Sequence, residues 1–194
     1  MARYFKNVIA TDASGRQIES ASTHSRVEYR VASAEDAGLA AGTTDLITVG
    51  QALHWFDFDR FFAEARRVAS ENGVLAVWCY GLCEIRSDID AIVDELYADL
   101  VDEFWPAERV YVEQGYSNIE MPGVAIEAPE FHMQLDWRVD DMLGYLRTWS
   151  ACQRYLATRG EDPVTVIESA LRAAWGNGAR NVRWPLRVRV CRLQ

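Results

Sequence analysis

The stretch Asp45–Tyr80, DLITVGQALHWFDFDRFFAEARRVASENGVLAVWCY, decides the fold of this chain. It begins with a short apolar run, Asp45–Val49, that ends at Gly50 and is typical of a strand buried on both faces. Between Phe58 and Ala69 the apolar residues recur three, four and seven positions apart, which places them on one face of an α-helix. Asp57 directly precedes this pattern and is the predicted N-cap.

A second buried strand is predicted at Val74–Trp78, after Gly73, which we expect in the left-handed conformation that ends a helix. A strand, a helix and a second strand in this order predict a parallel, right-handed crossover. Ligands of such sheets bind at the carboxyl ends of the strands. Here that end is the polar and aromatic loop Gly50–Phe56, which therefore becomes the candidate pocket.

The segment before this unit also alternates between strand and helix. Val8–Ala10 and Glu28–Val31 are predicted strands, and Ser14–Ser25 between them carries a thin helical stripe of Ile18 and Ala21. Alternating strands and helices predict an α/β fold with a doubly wound, Rossmann-like sheet.

The pattern changes after Tyr80. Residues 107–130 look irregular, and Phe131–Trp137 alternates as a half-buried strand does. Helices are predicted at Ser87–Phe104, Asp140–Thr158 and Asp162–Trp175, and a final strand at Arg187–Leu193. We interpret the chain as a single domain with core units over residues 1–83, a helical lid with one strand over 84–176, and a terminal strand over 177–194.

Composition excludes several classes of function. The net charge of -9 argues against a nucleic-acid groove, which needs clustered Lys and Arg. The sequence contains no run of 18 apolar residues, so no membrane span is predicted. No signal peptide is recognisable at the start. The four cysteines form no zinc spacing, no trio of metal ligands is visible, and we expect a reducing, cytoplasmic setting.

Three polar residues close predicted strands and are candidates for chemistry. Asp12 follows the first strand, where a carboxylate can accept hydrogen bonds from ribose hydroxyls; a turn or helix-capping role is the alternative. Glu35 follows the next strand as a second candidate; the alternative is an acidic residue of the surface. His54 is the one side chain nearby that exchanges protons near neutral pH, and the alternative is a structural histidine of the pocket wall.

The combination of these features resembles class I S-adenosylmethionine-dependent methyltransferases. The similarity rests on an acid after the first strand, Ala-Glu-Asp at residues 34–36, the loop ALHWFD at 52–57 and the helix LRTWSACQRYL at 146–156. The end, VRWPLRVRVCRL, is similar to the last hairpin strand of the small-molecule branch that includes trans-aconitate methyltransferase. The resemblance covers nearly the whole chain and implies that the last strand is antiparallel to the others.

The resemblance implies a binding site for S-adenosyl-L-methionine. Asp12 matches the acid that holds the ribose, and Ala34 and Glu35 match the segment beside the adenine. Gly50 and Gln51 match the strand end beside the methionine part and the transferred methyl group.

The resemblance also implies a substrate pocket. His54 and Trp55 match residues that line it between cofactor and acceptor, with His54 as the candidate catalytic base. Tyr116, Trp149 and Tyr155 fall in the region that covers the substrate.

The sequence departs from this family at its beginning. The family starts with a strand and a Gly-rich turn, roughly GxGxG, and none is present here. We therefore expect an incomplete sheet with the first strand missing. The Val8–Ala10 and Leu46–Val49 strands should either pair directly or leave a gap filled by another chain, giving a homo-oligomer through exposed strand edges.

Three functions follow as hypotheses. The first is methyl transfer from S-adenosyl-L-methionine to a small molecule with a carboxylate or hydroxyl acceptor. The second is a non-catalytic fragment or scaffold that keeps the methyltransferase-like fold. The third is an NAD-binding dehydrogenase, which would also need a Gly-rich turn and does not predict the AED and ALHWFD segments.

Overall fold

The structure, a computed structural model, describes residues 1–193 and divides into two compact units. The first unit contains residues 1–77 and 120–128 and the end of the chain from Arg189. The second contains residues 78–119 and 129–188.

A two-stranded parallel sheet opens the first unit. Its strands β1 (Val8–Asp12) and β2 (Val27–Val31) pair along their full length and are connected through helix α1 (Gly15–Glu19). Both predicted strands are confirmed. The predicted helix over Ser14–Ser25 is wrong beyond Glu19, because α1 buries no side chain that could stabilise further turns.

The central stretch of sequence folds as strand, helix and strand. Strand β3 (Thr44–Gly50) is followed by helix α2 (Phe58–Val68) and strand β4 (Ala69–Tyr80). The carboxylate of Asp57 accepts a hydrogen bond from the backbone N–H of Arg60, so the predicted N-cap is confirmed. The expectation for Gly73 is wrong: β4 begins directly after α2, and Gly73 lies within this strand.

A second sheet has the strand order β3-β4-β7-β5, where β5 is Gly123–Ile126 and β7 is Arg180–Leu193. Strand β5 pairs antiparallel with the end of β7. The antiparallel final strand expected from the sequence is thereby confirmed, together with the α/β class. Residues 107–130 are less irregular than predicted, since they include β5 and helix α4 (Arg109–Glu113).

The second unit is mainly helical. Helix α3 continues through a π turn and a 3-10 turn to Phe104, which confirms the predicted helical span. The predicted helix Asp140–Thr158 is instead two helices, because Trp149 adopts an extended backbone conformation with ψ at 135°. The helices of this unit besides α4 are α3 (Ser87–Glu95), α5 (Val139–Arg147), α6 (Ser150–Arg159) and α7 (Val164–Trp175).

A hydrophobic core fills the space between these helices. Trp175 and Leu171 of α7 are fully buried in it with Ile89 of α3 and Leu146 of α5. The indole Nε1 of Trp175 has no hydrogen-bond partner within residues 1–193. Burial of large apolar side chains is the main source of stability of this unit.

Strand β6 (Phe131–Trp137) pairs antiparallel with the first half of β7, from Arg180 to Leu186. The predicted strand is confirmed, but the prediction that it is half-buried is wrong. Phe131, Met133 and Leu135 are 47%, 37% and 51% exposed, and within β6 only Trp137 is partly buried, because its ring packs against those of Tyr145 and Trp184.

All four cysteines are buried free thiols. Within residues 1–193, no helix combines the length and the apolar composition needed to cross a membrane. The same residues contain no group of His, Cys, Asp and Glu side chains placed to hold a metal ion.

Candidate functional site

The first unit contains a cavity of about 780 Å³. Strand β1 contributes Val8, Ile9, Thr11 and Asp12 to its wall, and helix α2 contributes an apolar wall with one carboxylate, Glu64. All seven residues of β3 line it as well. Side chains of a strand alternate between its two faces, so a lining by consecutive residues means that the edge of β3 borders the cavity.

The edge position of β3 bears on two predictions, its burial and its pairing with β1. Strand β3 is not buried on both faces, since Val49 alone among its residues is buried. The Val8–Ala10 and Leu46–Val49 strands do not pair: β1 and β2 form a sheet of their own, and β3 ends the other sheet. The structure therefore has the predicted gap, and whether another chain enters it stays a prediction.

Three of the five predicted cofactor-binding residues line this one cavity. They are Asp12 at the carboxyl end of β1, Ala34 after β2 and Gly50 at the end of β3. The carboxylate of Asp12 accepts a hydrogen bond of 2.7 Å from the backbone N–H of Ser14, and the residue is exposed. This hydrogen bond corresponds to the turn role that was the alternative prediction for Asp12. The residue nevertheless lies at the cavity wall.

Glu35, the fourth predicted cofactor-binding residue, does not line the cavity. Its carboxylate accepts hydrogen bonds from the hydroxyl of Ser33 and, at 3.1 Å, from the backbone N–H of Asp57. The Ser33 hydrogen bond is the main cause that lowers the pKa of Glu35. Glu35 thus connects the loop after β2 to the start of α2 and holds the rim of the cavity in place.

Gln51, the fifth, also lies outside the cavity lining but has an unusual backbone. Its φ of 53° is in the left-handed region, which costs a non-glycine residue about 1–2 kcal/mol. The chain turns here from β3 into the 3-10 turn Leu53–Trp55. The sequence contained no signal for this conformation, since glycine is the residue expected in it and Gly50 does not adopt it.

The predicted pocket residues His54 and Trp55 lie on this 3-10 turn. His54 is buried, and its ring centroid is 4.8 Å from that of Trp55. Trp55 is 52% exposed. Neither residue lines the cavity, whereas their neighbours Ala52 and Phe56 do.

Glu64 of α2 is a site residue that the sequence analysis missed. It lines the cavity, is only 9% exposed, and accepts a 3.0 Å hydrogen bond from the backbone N–H of Ala37. Arg67 donates to the same carboxylate through Nε at 2.6 Å and Nη2 at 2.8 Å. The Arg67 hydrogen bonds, followed by that of Ala37, lower the pKa of Glu64 against the opposing effect of burial. The available signal was the spacing of Glu64 and Arg67, three residues apart on one helix.

The three remaining predicted substrate residues belong to the second unit. Tyr116 is fully buried with a φ of 61°, so its side chain is part of the core, not an exposed cover. The Trp149 ring lies 5.7 Å from that of Trp105. The Tyr155 ring lies 4.9 Å from that of Phe104.

An arginine completes the aromatic cluster around Trp149. The guanidinium of Arg109 lies 4.6 Å from the ring centroid of Trp105 and donates through Nε to the hydroxyl of Tyr97 at 2.9 Å. The rings of Tyr97 and Trp149 meet edge to face at 5.9 Å. Burial is the main cause that raises the pKa of Tyr97 to about 12, so this phenol stays protonated as a hydrogen-bond donor.

Comparison with known proteins gives consistent results. Residues 1–77 match the family described as the methyltransferase domain. A candidate methyltransferase of Dictyostelium discoideum is 35% identical over 178 residues, which cover 90% of this chain and 68% of that protein.

Solved structures agree with this. A candidate type II methyltransferase from Anaeromyxobacter dehalogenans is 44% identical, with a TM-score of 0.89 over 98% of this chain and 82% of that one. A candidate methyltransferase from Bacillus halodurans shares the fold at 17% identity, with a TM-score of 0.51 over 98% and 84% of the two chains.

Proposed function

The chain belongs to the methyltransferase family, and on that premise we propose that it transfers a methyl group from S-adenosyl-L-methionine to a small molecule. The acceptor atom is the oxygen of a carboxylate or a hydroxyl. Within the family we assign the chain to the small-molecule branch that includes trans-aconitate methyltransferase, on the ALHWFD and LRTWSACQRYL segments. We place the reaction in the cytoplasm, where four free thiols stay reduced.

One observation carries the proposal: the ends of β1 and β3 and the loop after β2 line one cavity, with the carboxylate of Asp12 at its wall. A volume of about 780 Å³ is in the range that holds a ligand of the size of S-adenosyl-L-methionine. The ribose of this cofactor carries two hydroxyl donors, and Asp12 offers an exposed acceptor. The residues present therefore fit the cofactor.

Each side of the cavity has a role in this proposal. Asp12 holds the ribose hydroxyls, and Ala34 borders the adenine, while Glu35 holds the rim beside it. Gly50 borders the methionine part, and Gln51 forms the turn that follows it. When bound, S-adenosyl-L-methionine supplies an electrophilic methyl group on a positively charged sulfur. The chain's own contribution is to position the two reactants and to exclude water.

The acceptor side depends on the state of the acceptor. A carboxylate already carries the lone pair that attacks, so no base is needed. A hydroxyl must lose its proton, and His54 is the side chain that we propose to take it. Trp55 is the proposed aromatic contact of the acceptor in the first unit; the substrate roles predicted for Tyr116, Trp149 and Tyr155 of the second unit stay predictions.

Isothermal titration calorimetry with S-adenosylhomocysteine and with NAD tests the assignment. We expect binding of S-adenosylhomocysteine and none of NAD. Tight binding of NAD alone would establish the dehydrogenase hypothesis instead.

A matched pair of variants tests the site. Asp12→Ala should weaken S-adenosylhomocysteine binding by about 1–3 kcal/mol, because charged hydrogen bonds to the ribose are lost. Asp45→Ala is the control: Asp45 also lines the cavity but lies near the start of β3, away from the proposed ribose position. His54→Ala should keep the affinity and lower the turnover. Equal affinities of Asp12→Ala and wild type would refute the proposed site.

A non-catalytic protein that keeps this fold is the second candidate. The observation that favours it is the gap itself, because the two strand edges that border the cavity are unpaired. A ligand bound there has fewer fixed contacts than one bound against a closed sheet. If neither S-adenosylhomocysteine nor NAD binds to the folded protein, this candidate replaces the first.

A further inference from the structure

Strand β6 is an edge strand whose outer side is open. It pairs with β7 and, within residues 1–193, with no other strand. Its residues from Phe131 to Asp136 are all exposed, including three large apolar side chains. An exposed and partly apolar edge is a template for pairing with another strand.

The backbone groups on this open side can be identified. Arg183 of β7 exchanges two backbone hydrogen bonds with Glu84, at 3.0 and 2.7 Å. Its N–H and C=O therefore point away from β6, and the residue opposite it on β6, Gln134, has no backbone bonds to Arg183. Since bonded and non-bonded pairs alternate in antiparallel sheets, the N–H and C=O of Gln134 point outward to the open side.

The same holds two residues away in each direction. His132 lies opposite Pro185, which has no N–H to offer, and Asp136 lies opposite Asn181. The open edge of β6 thus presents three outward N–H groups and three outward C=O groups, at His132, Gln134 and Asp136. Without a partner these groups are satisfied by water.

We propose that β6 of a second copy of this chain occupies this edge, antiparallel and centred on Gln134, so that the two copies form a symmetric dimer through a continuous sheet. In this register Gln134 pairs with Gln134 of the second copy, and His132 pairs with the second copy's Asp136. All three are the residues whose backbone groups point outward. The register therefore uses all six outward groups of each strand.

The side chains fit the same register on both faces. On the apolar face Met133 meets Leu135 of the second copy and Phe131 meets the second copy's Trp137. On the polar face the imidazole of His132 meets the carboxylate of the second copy's Asp136, which in this chain also accepts from Asn181 at 3.1 Å. A shift by one residue would place apolar against polar side chains. This self-complementarity favours a second copy over an unrelated strand.

Sedimentation velocity of the full chain tests the proposal. The contact is one short strand on each side, which is small for a stable complex, so we expect a reversible dimer whose dissociation constant lies between about 1 µM and about 1 mM. A species of twice the chain mass should grow with concentration over that range. A monomer at every concentration would overturn the proposal.

Two variants at the centre of the strand identify the edge. Gln134→Pro removes an outward N–H from each copy and leaves the bonds to β7 intact, so dimerisation should weaken at least about tenfold while the circular dichroism spectrum is unchanged. Gln134→Thr is the matched control, which keeps the N–H and should dimerise like wild type. A dimer that persists in Gln134→Pro would show that another surface forms it.

A charge exchange tests the register separately from the fold of the strand. His132→Asp places two carboxylates opposite each other twice in the dimer and should weaken it about tenfold. The double variant His132→Asp/Asp136→His exchanges the pair and should restore dimerisation. Failure of the double variant to regain the dimer lost in the single variant would refute this register.

Discussion

Replacement of Glu64 measures how strongly one buried carboxylate holds the wall of the cavity. In Glu64→Ala the backbone N–H of Ala37 loses its acceptor, and the guanidinium of Arg67 loses two hydrogen bonds. Arg67 keeps its bond to the backbone oxygen of Leu39, at 2.8 Å. The change therefore removes one of several bonds that hold the loop between β2 and β3 to helix α2, among them those of Gly42 and Thr43 to the end of the helix.

The expected cost follows from the exposure of each partner. The bond from Ala37 ends on a carboxylate that is 9% exposed, and a hydrogen bond to a charged group contributes about 1.5–3 kcal/mol. The side chain of Arg67 is 44% exposed, so its ion pair contributes at most about 1 kcal/mol after screening by solvent. Together these predict a loss of about 2–4 kcal/mol in the free energy of unfolding. Glu64→Gln keeps an acceptor for Ala37 and should lose about 1 kcal/mol.

The pH dependence gives an independent check. The pKa of Glu64 is lowered in the folded protein, chiefly by the hydrogen bonds from Arg67. The unfolded state therefore holds this proton more tightly, and the contribution of Glu64 is present above its unfolded pKa of about 4.3. It is lost as the pH falls through the lower pKa of the folded state. The difference between wild type and Glu64→Gln should accordingly shrink below about pH 4.

Urea denaturation of wild type, Glu64→Ala and Glu64→Gln at several pH values measures these quantities. Glu71→Gln is the control, because it makes the same chemical change at an exposed position. A free energy of unfolding for Glu64→Ala within about 0.5 kcal/mol of wild type would refute the reasoning.

Three further predictions concern stability and reactivity. Burial raises the pKa of Cys79 to about 11 and the pKa values of Cys83 and Cys152 to about 12. Iodoacetamide at pH 8 should therefore label these thiols only after denaturant is added. Rapid labelling of the folded protein would contradict this. Trp175→Ala should cost about 3–5 kcal/mol, and Trp175→Phe distinctly less, because the latter keeps most of the packing and removes an unpaired indole N–H. Leu53→Ala should cost about 2–5 kcal/mol by thermal unfolding, whereas Trp55→Ala, at a half-exposed residue of the same turn, should cost under about 1 kcal/mol; the reverse order would contradict the packing described.

Much of the fold could be predicted because the signals were local. The apolar spacing of α2 and the cap at Asp57 are properties of neighbouring residues, and both are present in the structure. The break between α5 and α6 could not be read in this way, since apolar residues continue across Trp149. The exposure of β6 could not be predicted either. Phe131, Met133 and Leu135 alternate as in a covered strand, and only the tertiary fold determines whether they are buried.

The candidate site was predictable where it depends on strand ends. Asp12 and Gly50 end their strands and Ala34 follows β2, and ligands of α/β folds bind at such strand ends. Glu64 and the backbone of Gln51 could not be found this way. The role of Glu64 depends on a loop folded back onto α2, and the φ of Gln51 contradicts the usual preference for glycine.

The open edges of β3 and β6 differ in what can satisfy their backbone groups. The edge of β3 borders a cavity whose wall includes the carboxylates of Asp12 and Glu64, so water or a polar ligand can pair with its backbone groups. The edge of β6 carries an alternating apolar stripe, and a strand with the same alternation satisfies both its backbone and its side chains. No residue of β6 lines the cavity, so Gln134→Pro should bind S-adenosylhomocysteine as wild type does, and Asp12→Ala should dimerise as wild type does. If either variant loses both properties in a folded protein, the assignment of separate roles to the two edges is wrong.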